Sequence, residues 1–404
     1  DGIRDTSVTG VQTCALPISP GEKPYRVYRG GRTRGKVPRR QVEPQQPQRD
    51  VRRRPRRGWS PRRIAFWTVL AVIMVLIVWT VAGYFSVRSG VSDANARLQR
   101  VAPGIGSVLK PGGGLLMNNA ANTLLIGTDH SENGQAGRST DEHSDSLMVL
   151  HTDPKSHRLV FLSLPRDLRA TIPGYGSAKI NAAMQLGGPK LAIRTVEDFT
   201  GLPINHVVIV DFGSFVQLID AVGGIDVNVP ENILSNRFDC PYSTATRCRQ
   251  WQGWRFHKGT THMSGHTALI YSRIRENRLN AADSDVSRGV RQQQVMQAAL
   301  SKLASVGTFF RLPFEGGNLM KPLSTDLSTN EFIQLAWIKF RAGTNLHCRL
   351  GGRDLGDGYL QPSENNIQVI QEVLGNSAPQ PPNPADGPFG PGCLSGNAAF
   401  SQTK

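Results

Sequence analysis

"HVVIVDFGSFVQLIDAVGGIDV", residues 206–227, sets a strand, a helix and a second strand in succession. The opening "HVVIVDF" (206–212) is apolar almost throughout, as a strand covered on both faces must be. "SFVQLIDAVGG" (214–224) changes to helical spacing and closes on Gly-Gly, a helix stop. "IDVNVP" then resumes an extended pattern. Three more strand-length runs lie upstream: "TLLIGT" (123–128), "SLMVLHT" (146–152) and "RLVFLSLP" (158–165). Two helical stretches separate them from residue 206: "INAAMQLGG" and "PKLAIRTVEDFTG", each ending in glycine. Strands and helices alternating over residues 122–305 predict an α/β core, a mostly mixed or parallel sheet with helices on both faces. Residues 232–262 form a long insert with Trp251 and Trp254. Further on, "STDLSTNEFIQLAWIKF" is an amphipathic helix capped at Ser328 or Thr329.

Charge divides the chain. The formal charge is +16 over 404 residues, yet residues 1–63 hold 17 Lys+Arg against 5 Asp+Glu, and residues 64–87 hold none of either. The high pI therefore belongs to a tail rather than to the α/β core. "IAFWTVLAVIMVLIVWTVAGYFSV" (64–87) would span about 36 Å as a helix, enough for a hydrocarbon layer of roughly 30 Å. It is too long for a signal-peptide core, and Tyr84 stands near its exit as an interfacial anchor. The arginines of "RDVRRRPRRGWSPRR" precede it, so the N-terminus is expected in the cytoplasm and the main domain outside. The Pro/Gln/Arg tail reads as a disordered, lipid-contacting segment rather than a nucleic-acid binder.

The expected organisation follows. Residues 1–19 lack periodicity, resemble translated adapter or vector sequence and are set aside with Cys14. Residues 20–63 are a basic tail, 64–87 a membrane anchor, 88–121 a stalk, 122–378 the extracytoplasmic domain and 379–404 a Pro/Gly-rich tail. Cys240, Cys248, Cys348 and Cys393 fall in the outer part, where an even count points to disulfides. Of three pairings, Cys240–Cys248 flanks one loop and Cys348–Cys393 pins the C-terminus. No C-x-x-C supports a zinc site.

Arginines gather at the end of the core. "SGHTALIYSRIR" reads as a short helix running into a strand, with Tyr271, Arg273 and Arg275 on one face. "DVSRGVRQQQVMQAALSKL" reads as a helix with Arg288, Arg291, Gln292, Val295 and Ala299 on one side. Arginine near a helix N-terminus opposes the dipole unless an anion is bound there. Arg166 ends a strand in "SLPRDL", and Lys179 and Asn181 precede a helix. Asp129 lies just past a strand end and Asp145 just before the next strand. Strand ends are where open α/β sheets build sites. Two carboxylates among arginines suit Mg²⁺ shared with a pyrophosphate. No G-x-S-x-G motif or nucleophile–base spacing is present.

In order and spacing, "LLIGTD", "HSDSLMVL", "SLPRDL", "KINAAM", "GLPINHVVIVDFGSFVQLIDAVGGIDV", "GHTALIYSRIR" and "SRGVRQQQV" resemble the LytR-CpsA-Psr family of cell-wall assembly proteins. That resemblance implies an α/β/α core with a pocket for a polyprenyl chain. It implies transfer of a glycopolymer phosphate from a polyprenyl pyrophosphate carrier to peptidoglycan at the membrane. It casts Asp129 and Asp145 as Mg²⁺-associated carboxylates and Arg166, Arg273, Arg275 and Arg288 as pyrophosphate contacts. His143, Lys179, Asn181 and Arg291 are expected at the substrate. Many members carry arginine where this chain has His143, which exchanges a permanent charge for a titratable one. Two other readings share these residues: hydrolysis of the polyprenyl pyrophosphate, and a non-catalytic lipid-carrier binder or envelope regulator.

Overall fold

A computed structural model describes residues 60–128, 144–280, 285–303, 305–383, 385–386 and 390–395. Among them a mixed sheet of seven strands forms the centre. In chain order the strands are β1 (Ala121–Thr128), β2 (Ser144–Asp153), β3 (Arg158–Leu164), β4 (His206–Asp211), β5 (Leu323–Thr325), β6 (Thr344–Arg349) and β7 (Gly392–Ser395). Their spatial order is β5-β4-β1-β2-β3-β6-β7. β1 runs parallel to β4 and β3 parallel to β6, while β2 is antiparallel to both β1 and β3. The C-terminal ends of β1, β3, β4 and β6 therefore share one edge of the sheet.

The period-two alternation of the strands divides the core in two. Leu124, Ile126, Leu147, Val149, Val160, Leu162, Val207 and Ile209 point to one face, under α2 (Ala182–Thr200). Val208 and Val210 point to the other, with Met148, Leu150, Leu159 and Phe161 further along. That second face is covered by α3 (Phe212–Ala221), α4 (Gly265–Arg273) and α5 (Asp285–Leu303). Helices on both faces explain why the strands are apolar throughout. α2 breaks at Gly187 and Gly188, whose φ/ψ are non-helical, where the helix stop was expected, and resumes as a second stretch beyond them. The Gly223–Gly224 turn after α3 needs glycine twice: both residues have φ near +82°, and a methyl on Gly224 would stand 2.5 Å from His262 Nε2.

α1 (Pro61–Val101) is one 41-residue helix. Its first part is apolar and long enough to cross a membrane, and it fits a single-pass anchor. Residues 88–101, read as the start of a stalk, are its second part, and Val91, Ala94 and Leu98 are buried in the domain. Spacings of three and four residues put these three on one side. Arg97 fixes the helix there by donating to the carbonyls of Met320 (2.7 Å) and Leu323 (2.9 Å). α6 (Val306–Met320) lies along α1, and α7 (Thr329–Arg341) starts at a capping box between Ser328 and Glu331. α8 (Asn366–Leu374) packs under β6.

The C-terminal tail also contributes structure. Residues 392–395 are the last strand of the sheet, and Cys393 faces Cys348 across the β6–β7 ladder. Both expected disulfides, Cys240–Cys248 and Cys348–Cys393, are formed. The second joins residues 45 apart in sequence, a loop long enough for cross-linking to matter.

Candidate active site

A cavity of about 360 Å³ opens at the shared edge of strand ends. Among the described residues, Arg166, Lys179, Arg275, Arg288 and Arg349 line it, against only two acids, Asp167 and Asp354. Each cation arrives by a separate local device. After β3, Pro165 starts a turn in which Leu168 N donates to the Pro165 carbonyl (3.1 Å); Leu168 is buried beneath it. Arg166 and Asp167 are left at the rim. A hairpin of Arg169–Ile172 with Gly176–Lys179 then returns Lys179 opposite Arg169. Lys179 Nζ reaches Asp167 Oδ1 at 2.8 Å, and Arg166 Nε lies 3.4 Å from Asp167 Oδ2. Asp167 thus gathers two of the cations.

Arg275 follows α4. Residues 271–273 of the expected strand are instead the end of this helix, which Ser264 caps by accepting from Thr267 N (3.3 Å). Tyr271 and Arg273 on the helix therefore no longer share a face, and Arg275 lies past its end. Tyr271 is buried and donates to Gln294 Oε1 (2.8 Å). Arg273 pairs with Asp239 of the insert, beside the Phe238 ring, and does not line the cavity. Ile274 is buried and turns Arg275 outward into the cavity. Arg291, expected at the substrate, donates to the Ile274 carbonyl (2.9 Å) and so holds this turn. Its charge also complements the negative end of α4.

Arg288 lies in the first turns of α5 and is buried, with Gly289 and Val290 on the cavity wall beside it. Asn181 is buried at the start of α2, where its N–H donates to the Arg166 carbonyl (3.3 Å); it supports the rim rather than lining it. Asp129 and His143 lie outside the described residues, as does the side chain of Asp145. The Asp145 backbone is in β2, between Ser144, paired with Thr128, and Ser146, which lines the cavity. No group of three His, Cys, Asp or Glu side chains stands ready for a metal among the described residues.

Arg349 and Gln292 were not singled out as site residues from the sequence. Arg349 ends β6 beside Ser163 of β3, so two parallel strands deliver Arg166 and Arg349 to one edge. Its Nε donates to the Gly390 carbonyl (2.8 Å), a contact made possible by the Cys348–Cys393 bond next door. Burial pushes its guanidinium down to about 10, still protonated near neutrality. The available signal was a strand-like run, "TNLHCR", ending in arginine as the β3 segment does. Gln292 follows Arg288 by four residues on α5 and therefore lies directly behind it.

Behind Gln292 the surroundings become apolar. A narrower pocket is lined by Ile126, Met148, Val210, Phe215, Val295 and Met296. It shares Ser146 and Gln292 with the cationic cavity. One face of α5 thus carries Arg288, Gln292, Val295 and Met296 from charge into oil. A diphosphate bearing a long hydrocarbon has this division of polarity.

The LytR_cpsA_psr family model matches residues 84–345. This chain belongs to that family. Among its family relatives, the polyisoprenyl-teichoic acid–peptidoglycan teichoic acid transferase TagV of Bacillus subtilis (strain 168) is 29% identical, covering 78% of each chain. The polyisoprenyl-teichoic acid–peptidoglycan teichoic acid transferase TagU of Bacillus anthracis is 32% identical over 68% of this chain and 82% of its own. Among solved structures, TagT bound to LIIa-WTA superposes with a TM-score of 0.51 at 25% identity, over 64% of this chain and 92% of that one.

Proposed function

We propose that the chain is a membrane-anchored transferase that moves a glycopolymer phosphate from a polyprenyl pyrophosphate carrier to peptidoglycan. Its relatives are named transferases, and the chain is an enzyme of that type. The observation that carries the substrate reading is the adjacency of the two cavities, which share Ser146 and Gln292 as lining. A five-cation chamber suits a diphosphate, and the apolar pocket reached through Ser146 and Gln292 suits the first units of a prenyl chain. Arg275 and Arg288 hold the phosphate oxygens, Arg166 and Lys179 guard the rim, and Arg349 closes the far wall. Arg273, paired with Asp239 in the structure, joins them by exchanging that carboxylate for a phosphate oxygen.

The acceptor hydroxyl attacks the sugar-linked phosphorus, the P–O bond to the bridging oxygen breaks, and polyprenyl monophosphate leaves. Charge moves onto that bridging oxygen, where fixed guanidiniums stabilise it without reorganising. Asp129 and Asp145 are the carboxylates that would hold Mg²⁺, which would supply further positive charge to the diphosphate. The attacking proton passes to one of these two carboxylates. The basic flank before residue 64 supports an N-terminus in the cytoplasm and this site outside.

The test is turnover of a polyprenyl-pyrophosphate-linked glycopolymer by the full chain in detergent or bilayer, with and without peptidoglycan. Polymer should appear on peptidoglycan. Release of free polymer phosphate at the same rate without acceptor would make the chain a hydrolase instead. Binding without turnover in either case would make it a carrier-binding protein.

A further inference from the structure

α1 and α6 run side by side in the same direction. Trp79 of α1 meets Phe314 at 5.5 Å between ring centroids and Phe310 at 6.5 Å. Further along, a methyl on Gly83 would stand 3.2 Å from Leu312 Cβ, one on Gly316 2.9 Å from Val87, and one on Gly90 2.8 Å from the Gly317 carbonyl oxygen. Gly317 N donates to Ser86 Oγ at 3.2 Å. Glycines and serines that let two backbones approach are how helices associate within lipid.

This register places the beginning of α6 level with residues 79–83, inside the charge-free segment 64–87. If Tyr84 marks the interface, Trp79 lies five residues in, about 7.5 Å by helical rise. Interfacial amphipathic helices bury their apolar faces about 5–10 Å. Phe310 is 51% exposed and Phe314 73%, at the same level as the exposed Val78 and Val81 of α1. Whatever covers Val78 and Val81 must also cover these two rings. The charges of α6 point elsewhere. The Arg311 guanidinium lies over Gly223, and Glu315 accepts from Asn318 (2.8 Å).

Several described groups of the turn leading into α6 bond within it. Ser305 N donates to the Lys302 carbonyl (3.0 Å), and Thr308 Oγ1 donates to the same oxygen (2.6 Å). Ser305 Oγ accepts from Thr308 N (3.3 Å), and Phe309 N donates to the Ser305 carbonyl (3.1 Å). Backbone entering a bilayer must close its hydrogen bonds internally in this way.

We propose that α6 is a second membrane-embedded element. Its Phe310–Phe314 face and the turn before it enter the leaflet on the domain side of α1, covered by lipid. This rests on α1 spanning the bilayer, so the test carries a control for that. The full chain, with Cys14→Ser to remove the fifth cysteine, is reconstituted in phosphatidylglycerol-containing nanodiscs. Nitroxide labels are placed singly at Phe310→Cys, Phe314→Cys, Ile73→Cys in mid-span and Tyr175→Cys on the exposed β-hairpin. Collision rates with oxygen and with a water-soluble nickel chelate are then compared. Labels at 310 and 314 should favour oxygen several-fold over the label at 175, approaching the ratio at 73. Nickel-accessible labels at both 310 and 314, with 73 lipid-like, would overturn the inference and leave the anchor intact. Labels shielded from both reagents, as by a second copy of the chain, would also overturn it. A nickel-accessible label at 73 would sink the anchor and the inference together.

Discussion

The two halves of the site are built in opposite ways. The apolar pocket is made of core: β1, β2, β4, α3 and α5 supply it from residues that also hold the sheet and helices together. The cationic cavity is made of joints. Arg166 follows a strand, Lys179 ends a hairpin, Arg275 follows a helix, Arg288 begins one and Arg349 ends a strand. An exposed side chain at a joint, such as Arg275, can be replaced with little cost to folding, whereas the buried apolar ones of the pocket wall cannot. The difference implies that charge and oil can be tested separately.

The largest effect should come from Arg275→Ala, an exposed residue whose loss removes a charge clamp. Polymer transfer should fall about a thousandfold, or ~4 kcal/mol of transition-state stabilisation, while the melting temperature stays within a few degrees. A parallel loss of stability would show the joints to be structural after all. Next comes the staple behind Arg349. Replacing Cys348 and Cys393 with serine should lower unfolding free energy by about 2–4 kcal/mol in urea titrations. Transfer should also fall below that of the Cys240→Ser/Cys248→Ser variant. Equal activities in the two variants would separate the Gly390–Arg349 contact from catalysis.

A smaller effect should appear in the oily half. Met296→Gln is expected to weaken use of a long-chain donor roughly tenfold while sparing a short-chain one, since only the long chain loses buried contact. The sign of that difference distinguishes a prenyl pocket from a packing defect.

The smallest effect lies outside both halves, at His206. Burial alone would lower its pKa, but the Asp326 hydrogen bond (2.8 Å) and the charges of Asp326 and Glu331 outweigh this, and the net shift is upward. A raised folded-state pKa contributes stability that is complete below about pH 6.5 and lost as pH rises through the raised value. Asp326→Asn should therefore cost more stability at about pH 6 than at about pH 9, with transfer per folded molecule unchanged. His151 behaves oppositely. Burial holds it down to about 4, so its contribution fades as pH falls from about 6.5 toward that value.

Much of this division was legible beforehand. Runs such as "HVVIVDF" and "RLVFLSLP" announce strands covered on both sides, and the end of the second points to Arg166 because open sheets place sites there, while Arg288 was legible from its place near a helix start. The unread parts share a cause. "IYSRIR" has the composition of a strand, but Ser264, six residues before it, caps a helix that runs on to Arg273. Arg349 needed a strand pairing between residues nearly two hundred positions apart, which no local pattern reveals. Residues 88–101 look polar enough for a linker, and only the three- and four-residue spacing of Val91, Ala94 and Leu98 marks them as core.

That unbroken helix has a consequence for reach. A domain on a loose leash would sweep a volume of envelope and meet glycan strands at many heights. With α1 as the anchor proposed above, the rod leaving the bilayer is the same helix whose residues Val91, Ala94 and Leu98 are packed into the domain, so the chamber would stand at a fixed altitude. Under the proposed function, acceptor strands would come to that plane, which favours freshly made wall lying close to the membrane over mature wall further out.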